Sequence, residues 1–517
     1  MNYSTGIRSL AVCFPEIIST RDDWFKQFPQ LSNKVSQRKA RRSKVAIASR
    51  IPKGDIANSN NSELDIWSQE VVPYLSDPFR GNLEHRVLNS EQSSLMLEYG
   101  AGKEALEAAK LAPEEVGLLI VASFDPGRIG HGNACYLAEK LGLRCPAWNL
   151  ESTCSGALIA LQNANALLQT GVYGNVLVVV SHVGSKNVDK KDTLSLSMGD
   201  AAGAFVVGSC KANQGVLGTK IINTTATLGA YAYEQIINSQ GELQVLTRTG
   251  ENASALAETA VDFVRICCEG ALANAGVTLE EIKFFAFNTP TAWYARVCSR
   301  ALGIDPERTI NLYPCYGNIG PVFAIANLYH AAQSGKIREN DLVLVYTNGA
   351  SATATATVMR WGDVALGLPP AAPLDVTLQQ KQVHFTEKTI SSIAQTVSSR
   401  ESYLFKEEFL SVNQEKRREI LENYLIEVLS QLLEVSVFEI NPQQSLMYLI
   451  DSLIALEFKR RIDKSLQLLI PMEKFFQHKN IAQITDYLLE RLAIKDIKLF
   501  SSKSVRDSNE VEELIII

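Results

Sequence analysis

From about residue 115 onward the chain alternates apolar runs of two lengths. Residues 116–123 (VGLLIVAS) form a short, continuously apolar run, the pattern of a strand buried on both faces. Residues 132–142 (GNACYLAEKLG) have helix length, and 175–182 (NVLVVVSH) and 201–208 (AAGAFVVG) are again strand-like. After residue 260 the order returns: 261–276 (VDFVRICCEGALANAG) is helical, and 282–288 (IKFFAFN) and 341–349 (DLVLVYTNG) are strands. Strand-length and helix-length apolar segments in turn predict an α/β layered protein, and their recurrence predicts two similar halves.

Three stretches depart from this rhythm. Residues 33–66 carry a basic cluster (RKARR, 38–42) and a polar run (NSNNSE, 58–63), which predicts an inserted, solvated surface segment. Past Trp361-Gly362 the run GLPPAAPLDVTLQQ predicts an extended linker over 367–408, joining two separately folded bodies. Within 409–494 the pattern becomes helical. Leu421, Tyr424, Leu425, Val428, Leu429, Leu432 and Leu433 make an amphipathic stripe, an Asn441-Pro442 loop follows, a second long helix opens near Ser452, and residues 475–489 (FFQHKNIAQITDYLL) end in a short helix. That is a small all-α four-helix body. Residues 495–517 lose periodicity and read as a flexible tail, whose acidic and then apolar end (EVEELIII) suits a docking peptide for a downstream synthase.

Composition narrows the function classes. With 517 residues and 46% hydrophobic content the chain can bury a large core, and a net charge of −6 gives no electrostatic case for nucleic acid. The N-terminus lacks a run of signal-peptide length and no stretch has the length and apolarity of a membrane span, so a cytoplasmic protein without membrane association is expected. Nine cysteines without a C-x-x-C pair provide neither a zinc ligand set nor a secreted disulfide framework.

One cysteine has a nucleophile's setting. Cys154 lies in NLESTCSGALIALQNANALLQTG, where a small-residue turn feeds an apolar helix; the positive end of the helix macrodipole favours thiolate there, and Gly156 leaves room for an acyl group. A core cysteine is the equally weighted alternative on these residues alone. A second chemical feature is Asp451-Ser452-Leu453 in LMYLIDSLIALEF. Serine and aspartate cap helices in any protein, but this segment and the helical pattern around it closely resemble acyl carrier proteins. In that family such a serine receives 4'-phosphopantetheine from a phosphopantetheinyl transferase. The small residue usually found two places earlier is Ile450 here.

Residues of about 5–365 resemble the thiolase superfamily, and within it ketosynthase III, the β-ketoacyl-carrier-protein synthase that uses Cys, His and Asn. The matching pieces are the cysteine helix, MGDAAGAFVVG (198–208), YGNIGPVFAIAN (316–327) and NGASATATAT (348–357). RGNLEHR and NSEQSS (80–86, 89–94) resemble the segment that contacts coenzyme A and the dimer partner. The resemblance implies a layered α-β-α-β-α fold over 1–366, a homodimer, Cys154 as acyl acceptor and Asn318 as the amide beside it. It also implies an oxyanion hole from the backbone of Cys154 and of the Ala350-Ser351 turn, with Gly349 supplying backbone freedom.

The family's histidine is replaced. Where it writes His-Gln-Ala-Asn, this chain has Asn288-Thr289-Pro290-Thr291, and FAFNTP also resembles the Phe-His-Thr-Pro run of hydroxymethylglutaryl-CoA synthases with Asn for His. An amide exchanges hydrogen bonds without titrating, so Asn288 could steady an oxyanion but not move a proton. His182 and Glu91 are the candidate acid/base groups, each with an ordinary structural role as its alternative. The resemblance thus implies an acyltransferase acting on coenzyme A or acyl-carrier-protein thioesters by Claisen-type condensation. A transacylase loading its own carrier domain or an alcohol, and an impaired scaffold presenting that domain, are the alternatives.

Overall fold

In the computed structural model the described residues are 4–28, 66–74, 77–123, 131–190, 192–237, 243–372, 414–433, 435–444, 446, 458–459, 461–463, 465–466 and 480–504. The basic cluster 38–42, most of the linker, the Asp451-Ser452-Leu453 signature and residues 505–517 lie outside them. The chain divides into two compact units, Met1–Thr389 and Ile390–Ile517.

In the first unit the strands are β1 (Thr5–Cys13), β2 (Ile17–Thr20), β3 (Glu84–Val87), β4 (Leu118–Ser123), β5 (Ala147–Asn149), β6 (Val176–Val183) and β7 (Asp200–Ser209). They continue with β8 (Gly215–Asn223), β9 (Tyr231–Ile237), β10 (Leu243–Thr249), β11 (Ile282–Phe287), β12 (Leu342–Asn348), β13 (Thr353–Arg360) and β14 (Ala365–Leu366). One sheet has the order β14-β1-β7-β6-β4-β5 and another β11-β12-β13-β8. The helices used below are α1 (Ser94–Ala109), α2 (Gly156–Gln169), α3 (Ala260–Ala275) and α4 (Phe323–Gln333).

The expected duplication is visible in the strand pairing. In the first half β1 pairs antiparallel to β7, β7 antiparallel to β6, and β6 parallel to β4. In the second half β8 pairs antiparallel to β13, β13 antiparallel to β12, and β12 parallel to β11. β5 lies parallel beside β4, and the second half keeps a remnant of this pairing in the parallel bridge between Phe285 and Thr309. Chain order matches too, since α1 and α2 follow β1 and β4 as α3 and α4 follow β8 and β11.

Side-chain alternation assembles the layers. Leu118, Ile120 and Ala122 point into a core shared with Ala157, Leu161, Phe323, Ile325, Phe284 and Val345, so α2 and α4 lie between the sheets. Leu119 and Val121 point the other way, against Ala101 and Ala105 of α1. With α3 packed on β8 and β13, the result is the α-β-α-β-α layering expected from the sequence.

The second unit contains α5 (Gln414–Leu433), a 3-10 turn at Val437–Glu439 and α6 (Ile481–Ser504). Leu421, Leu425, Val428, Leu429, Phe458, Ile462, Ile484 and Leu488 form its core. α6 continues ten residues past the expected boundary at 494, so a helix occupies the first part of the supposed tail. Among the described residues no helix is long and apolar enough to cross a membrane.

Candidate active site

Duplication brings two helix starts face to face. Cys154 lies in a 3-10 turn, Thr153–Ser155, that runs into α2; the equivalent turn of the second half, Gly320–Val322, runs into α4. The cysteine turn is tied to the β12–β13 turn by hydroxyls. Ser152 Oγ lies 2.6 Å from Thr353 Oγ1, Ser155 Oγ donates to Thr353 O at 2.6 Å, and Thr347 Oγ1 donates to Ser155 Oγ at 3.1 Å. These bonds hold Thr153 at φ 46, a left-handed angle that costs a β-branched residue about 1–3 kcal/mol. Gly349 serves by its lack of a side chain rather than by its backbone angle: a Cβ there would run into Thr153 Oγ1 and lie 2.7 Å from Ser152 O. Ser351 adopts the positive φ instead, at 60.

A cavity of about 60 Å³ opens at Cys154, several times the room a single water needs and enough for a short acyl group. Thr153, Cys154, His182, Asn187 and Asn318 line it with polar groups, Val183, Met198, Val245 and Ala350 with apolar ones, and Tyr231, Tyr233 and Thr247 reach in from the β9–β10 ribbon. Cys154 is half-buried as a residue, but its sulfur lies in these dry surroundings, and burial pushes the thiol up to about 12. The helix start alone therefore does not hold a thiolate, contrary to expectation; at neutral pH the sulfur is a thiol that needs a proton acceptor. Gly156 also differs from expectation: its missing Cβ lets α2 approach Ala122 and Pro321, at 3.2 and 3.9 Å, rather than an acyl group.

Asn288 and Asn318 are both keyed to Gly320. The Gly320 N–H donates to Asn318 Oδ1 at 3.0 Å, which turns the Asn318 NH₂ toward the cavity. Asn288 Nδ2 donates to Gly320 O at 2.9 Å, and its buried Oδ1 has no partner among the described residues. Asn288 does not line the cavity. It sits behind Asn318, with Gly320 between them, and so is placed to position rather than to contact.

The two candidate acid/base groups separate clearly. Glu91 lies on an exposed loop whose backbone N–H donates to Asn89 Oδ1, away from the cavity. His182, the penultimate residue of β6, faces the cavity with its Nδ1 2.9 Å from Gly199 O. The Ser351 N–H donates to Thr227 Oγ1 at 2.8 Å, so, contrary to expectation, it is not available to an oxyanion. The N–H groups of Cys154 and Ala350 have no partner among the described residues. Ser452, the expected attachment serine, lies outside the described residues. The ribbon tyrosines were not anticipated, although YAYEQ and LQVLTRT carry the period-2 signal of strands that place Tyr231 with Tyr233 and Val245 with Thr247.

Burial lowers His85, His182 and His330 to about 4, from an ordinary value near 6.5. The unfolded chain takes up these protons as pH falls through about 6.5, and the native state only near 4. In that window the unfolded state binds more protons, so stability rises with pH. Thermal unfolding of the full chain should therefore move to lower temperature as pH is taken from about 7 to 4, and the midpoint should change less in a variant with His85 and His330 replaced by Gln.

Comparison with known proteins agrees in both units. Residues 148–225 match the family model described as 3-oxoacyl-[acyl-carrier-protein] synthase III, and residues 272–361 match its C-terminal model. Residues 423–488 match a phosphopantetheine attachment site. The β-ketoacyl-[acyl-carrier-protein] synthase III of Microcystis aeruginosa is 28% identical over 329 residues, covering 62% of this chain and 97% of that protein. Synthase III 1 of Bacillus anthracis is 28% identical over 284 residues, covering 54% and 88%. Among solved structures, the Aquifex aeolicus 3-oxoacyl-[acyl-carrier-protein] synthase III aligns with a TM-score of 0.53 at 23% identity, over 69% of this chain and all of that one. Cerulenin-bound OleA of Xanthomonas campestris aligns with a TM-score of 0.53 at 15% identity, over 69% and 97%. At these identities the two structures speak for the fold.

Proposed function

Because this chain joins a ketosynthase III-like domain to a phosphopantetheine attachment domain, we propose that Cys154 takes an acyl group from a coenzyme A or carrier thioester and passes it to a second thioester in a Claisen-type condensation. The observation that carries the assignment is one cavity lined by the Cys154 thiol, by the Asn318 amide, and by Cys154 and Ala350, whose backbone N–H groups have no partner among the described residues.

Sulfur attacks the thioester carbonyl, a new C–S bond forms, and the incoming thiol departs with the proton that Cys154 loses. Negative charge on the carbonyl oxygen is met by the two backbone donors, each worth about 3 kcal/mol in such a setting. In the second half-reaction the α-carbon of the second thioester, made nucleophilic as its enolate forms by loss of a proton or of carbon dioxide, attacks the Cys154 thioester; the C–C bond forms, the C–S bond breaks, and the departing sulfur takes up a proton to restore the thiol, with the same donors meeting the oxyanion. Asn318 donates to the enolate oxygen of the second thioester, and Asn288 fixes Asn318 through Gly320. Val183, Met198 and Val245 keep the site dry, which strengthens each of these bonds.

The chemistry of the Asp451-Ser452 pair fits a phosphopantetheine, which Ser452 would hold through its hydroxyl and which supplies a flexible thiol when attached. A phosphopantetheinyl transferase and a downstream synthase at the C-terminal tail are partners in the same proposal. So is a second copy of the chain, supported by β5 ending its sheet with Trp148 exposed. Ser452→Ala should lose the mass gained on treatment with a phosphopantetheinyl transferase while Cys154 still takes acyl groups from acyl-CoA. Intact-mass measurement of the natural protein and of Ser452→Ala with acyl-CoA tests the function. Acyl on Cys154 followed by a β-keto product supports condensation; acyl that never leaves for carbon and reaches only the carrier thiol turns the assignment to transacylation.

A further inference from the structure

We propose that His182 is the proton acceptor for Cys154, receiving the thiol proton at Nε2 as the C–S bond forms and handing it to the departing thiolate. The inference rests on Cys154 being the acyl acceptor and supplies the proton transfer that Asn288 cannot perform.

Three features place this nitrogen. Gly199 O only accepts hydrogen bonds, so the contact at 2.9 Å requires the proton to be on Nδ1 and leaves the lone pair on Nε2. The ring is clamped beside that nitrogen: a Cβ on Gly184 would lie 2.5 Å from Cε1, and one on Gly320 would lie 2.6 Å from Cδ2, the two carbons bonded to Nε2. Both glycines lack the atom that would crowd the nitrogen. Finally, His182 is 3% exposed and shares the cavity wall with Cys154 and Asn318.

Burial keeps the ring neutral at rest, with uncharged or already engaged groups around it. From the ribbon come the phenols of Tyr231 and Tyr233, both pushed up by burial and by proximity to Cys154, and so protonated. On β7, Asp200 pairs with Val183, but its carboxylate is taken by Ser185 and the Leu88 N–H. On the opposite face of β6, Ser181 donates to Glu98. With the imidazole lowered to about 4 and the thiol raised to about 12, no thiolate–imidazolium pair forms in the resting site. The proton moves only during attack, which is general-base catalysis.

The balance is complete without a further reagent: R–CO–S–CoA and Cys154–SH give R–CO–S–Cys154 and HS–CoA, with the proton carried between the sulfurs by His182. The test measures the rate of Cys154 acylation by acetyl-CoA against pH in the full-length protein, by rapid quench and intact mass. In the natural protein the rate should be level above about pH 5 and fall below it. His182→Gln should be slower at pH 7 by about 10²- to 10⁴-fold, and its rate should rise tenfold per pH unit as hydroxide replaces the base. A purely packing role would lower the rate without changing the slope. If His182→Gln acylates within threefold of the natural protein, or if the natural protein itself climbs tenfold per unit through neutrality, the proposal is overturned; the second measurement does not depend on the variant folding. Absence of any acyl group on Cys154 in the natural protein would instead remove the underlying thioester assignment.

Discussion

Cys154→Ala should form no acyl-enzyme with acyl-CoA, and its rate of β-keto product formation should fall by about 10⁴-fold or more. The change removes one sulfur from a residue that already borders an open cavity, so the hydroxyl bonds holding its turn through Ser152 and Ser155 are kept and the fold should survive. What remains is a set of N–H donors without a nucleophile. Such a site can polarise a bound thioester, as oxyanion donors do in hydrolases stripped of their nucleophile, but it cannot hold the first acyl group while the second arrives. Product rate and intact mass should therefore fail together. Undiminished condensation by Cys154→Ala would mean that the sulfur is a core thiol, in which case the ketosynthase III-like domain performs some other task.

The segments with one strong period were legible in the sequence. Residues 176–180 and 342–346 are apolar without a break because β6 and β12 are buried on both faces, and 261–276 carries the helical period of α3. Cys154 could be singled out because a small-residue turn before an apolar helix is a local pattern, and Asn318 because it lies in a motif shared with a family. Features that depend on who meets whom in space were less readable. Thr227 captures the Ser351 amide from 124 positions away, leaving Ala350 as the donor. Gly156 and Gly349 are small for the sake of Ala122, Pro321 and Thr153, none of which the local sequence identifies. Likewise the helix start was expected to lower the thiol, but burial by residues of β6, β9 and β10 outweighs it.

Gly320→Ala carries the other large effect, because the added atom would strike the His182 ring while the same residue's backbone holds both Asn318 and Asn288. Gly320 has φ 52, a left-handed angle costing an alanine about 1–2 kcal/mol. The new methyl would also lie 2.6 Å from His182 Cδ2 and 3.3 Å from Nε2, in a ring that Gly184 confines from the other side. Overpacking of this kind adds roughly 1–3 kcal/mol, so the larger unit should lose about 2–5 kcal/mol in all. The same peptide bonds Asn318 through its N–H and Asn288 through its C=O, so any shift that relieves the clash also turns the Asn318 donor away from the cavity. Condensation should fall by about 10²-fold or more, as misplaced groups of this kind usually cost. Gly276→Ala is the control: Gly276 also has positive φ, at 66, but a Cβ there meets nothing within 4 Å. It should lose only the backbone contribution and keep its activity. Equal unfolding temperatures and equal turnover in the two variants would mean that the His182 ring has room to move and that Gly320 does not fix the site.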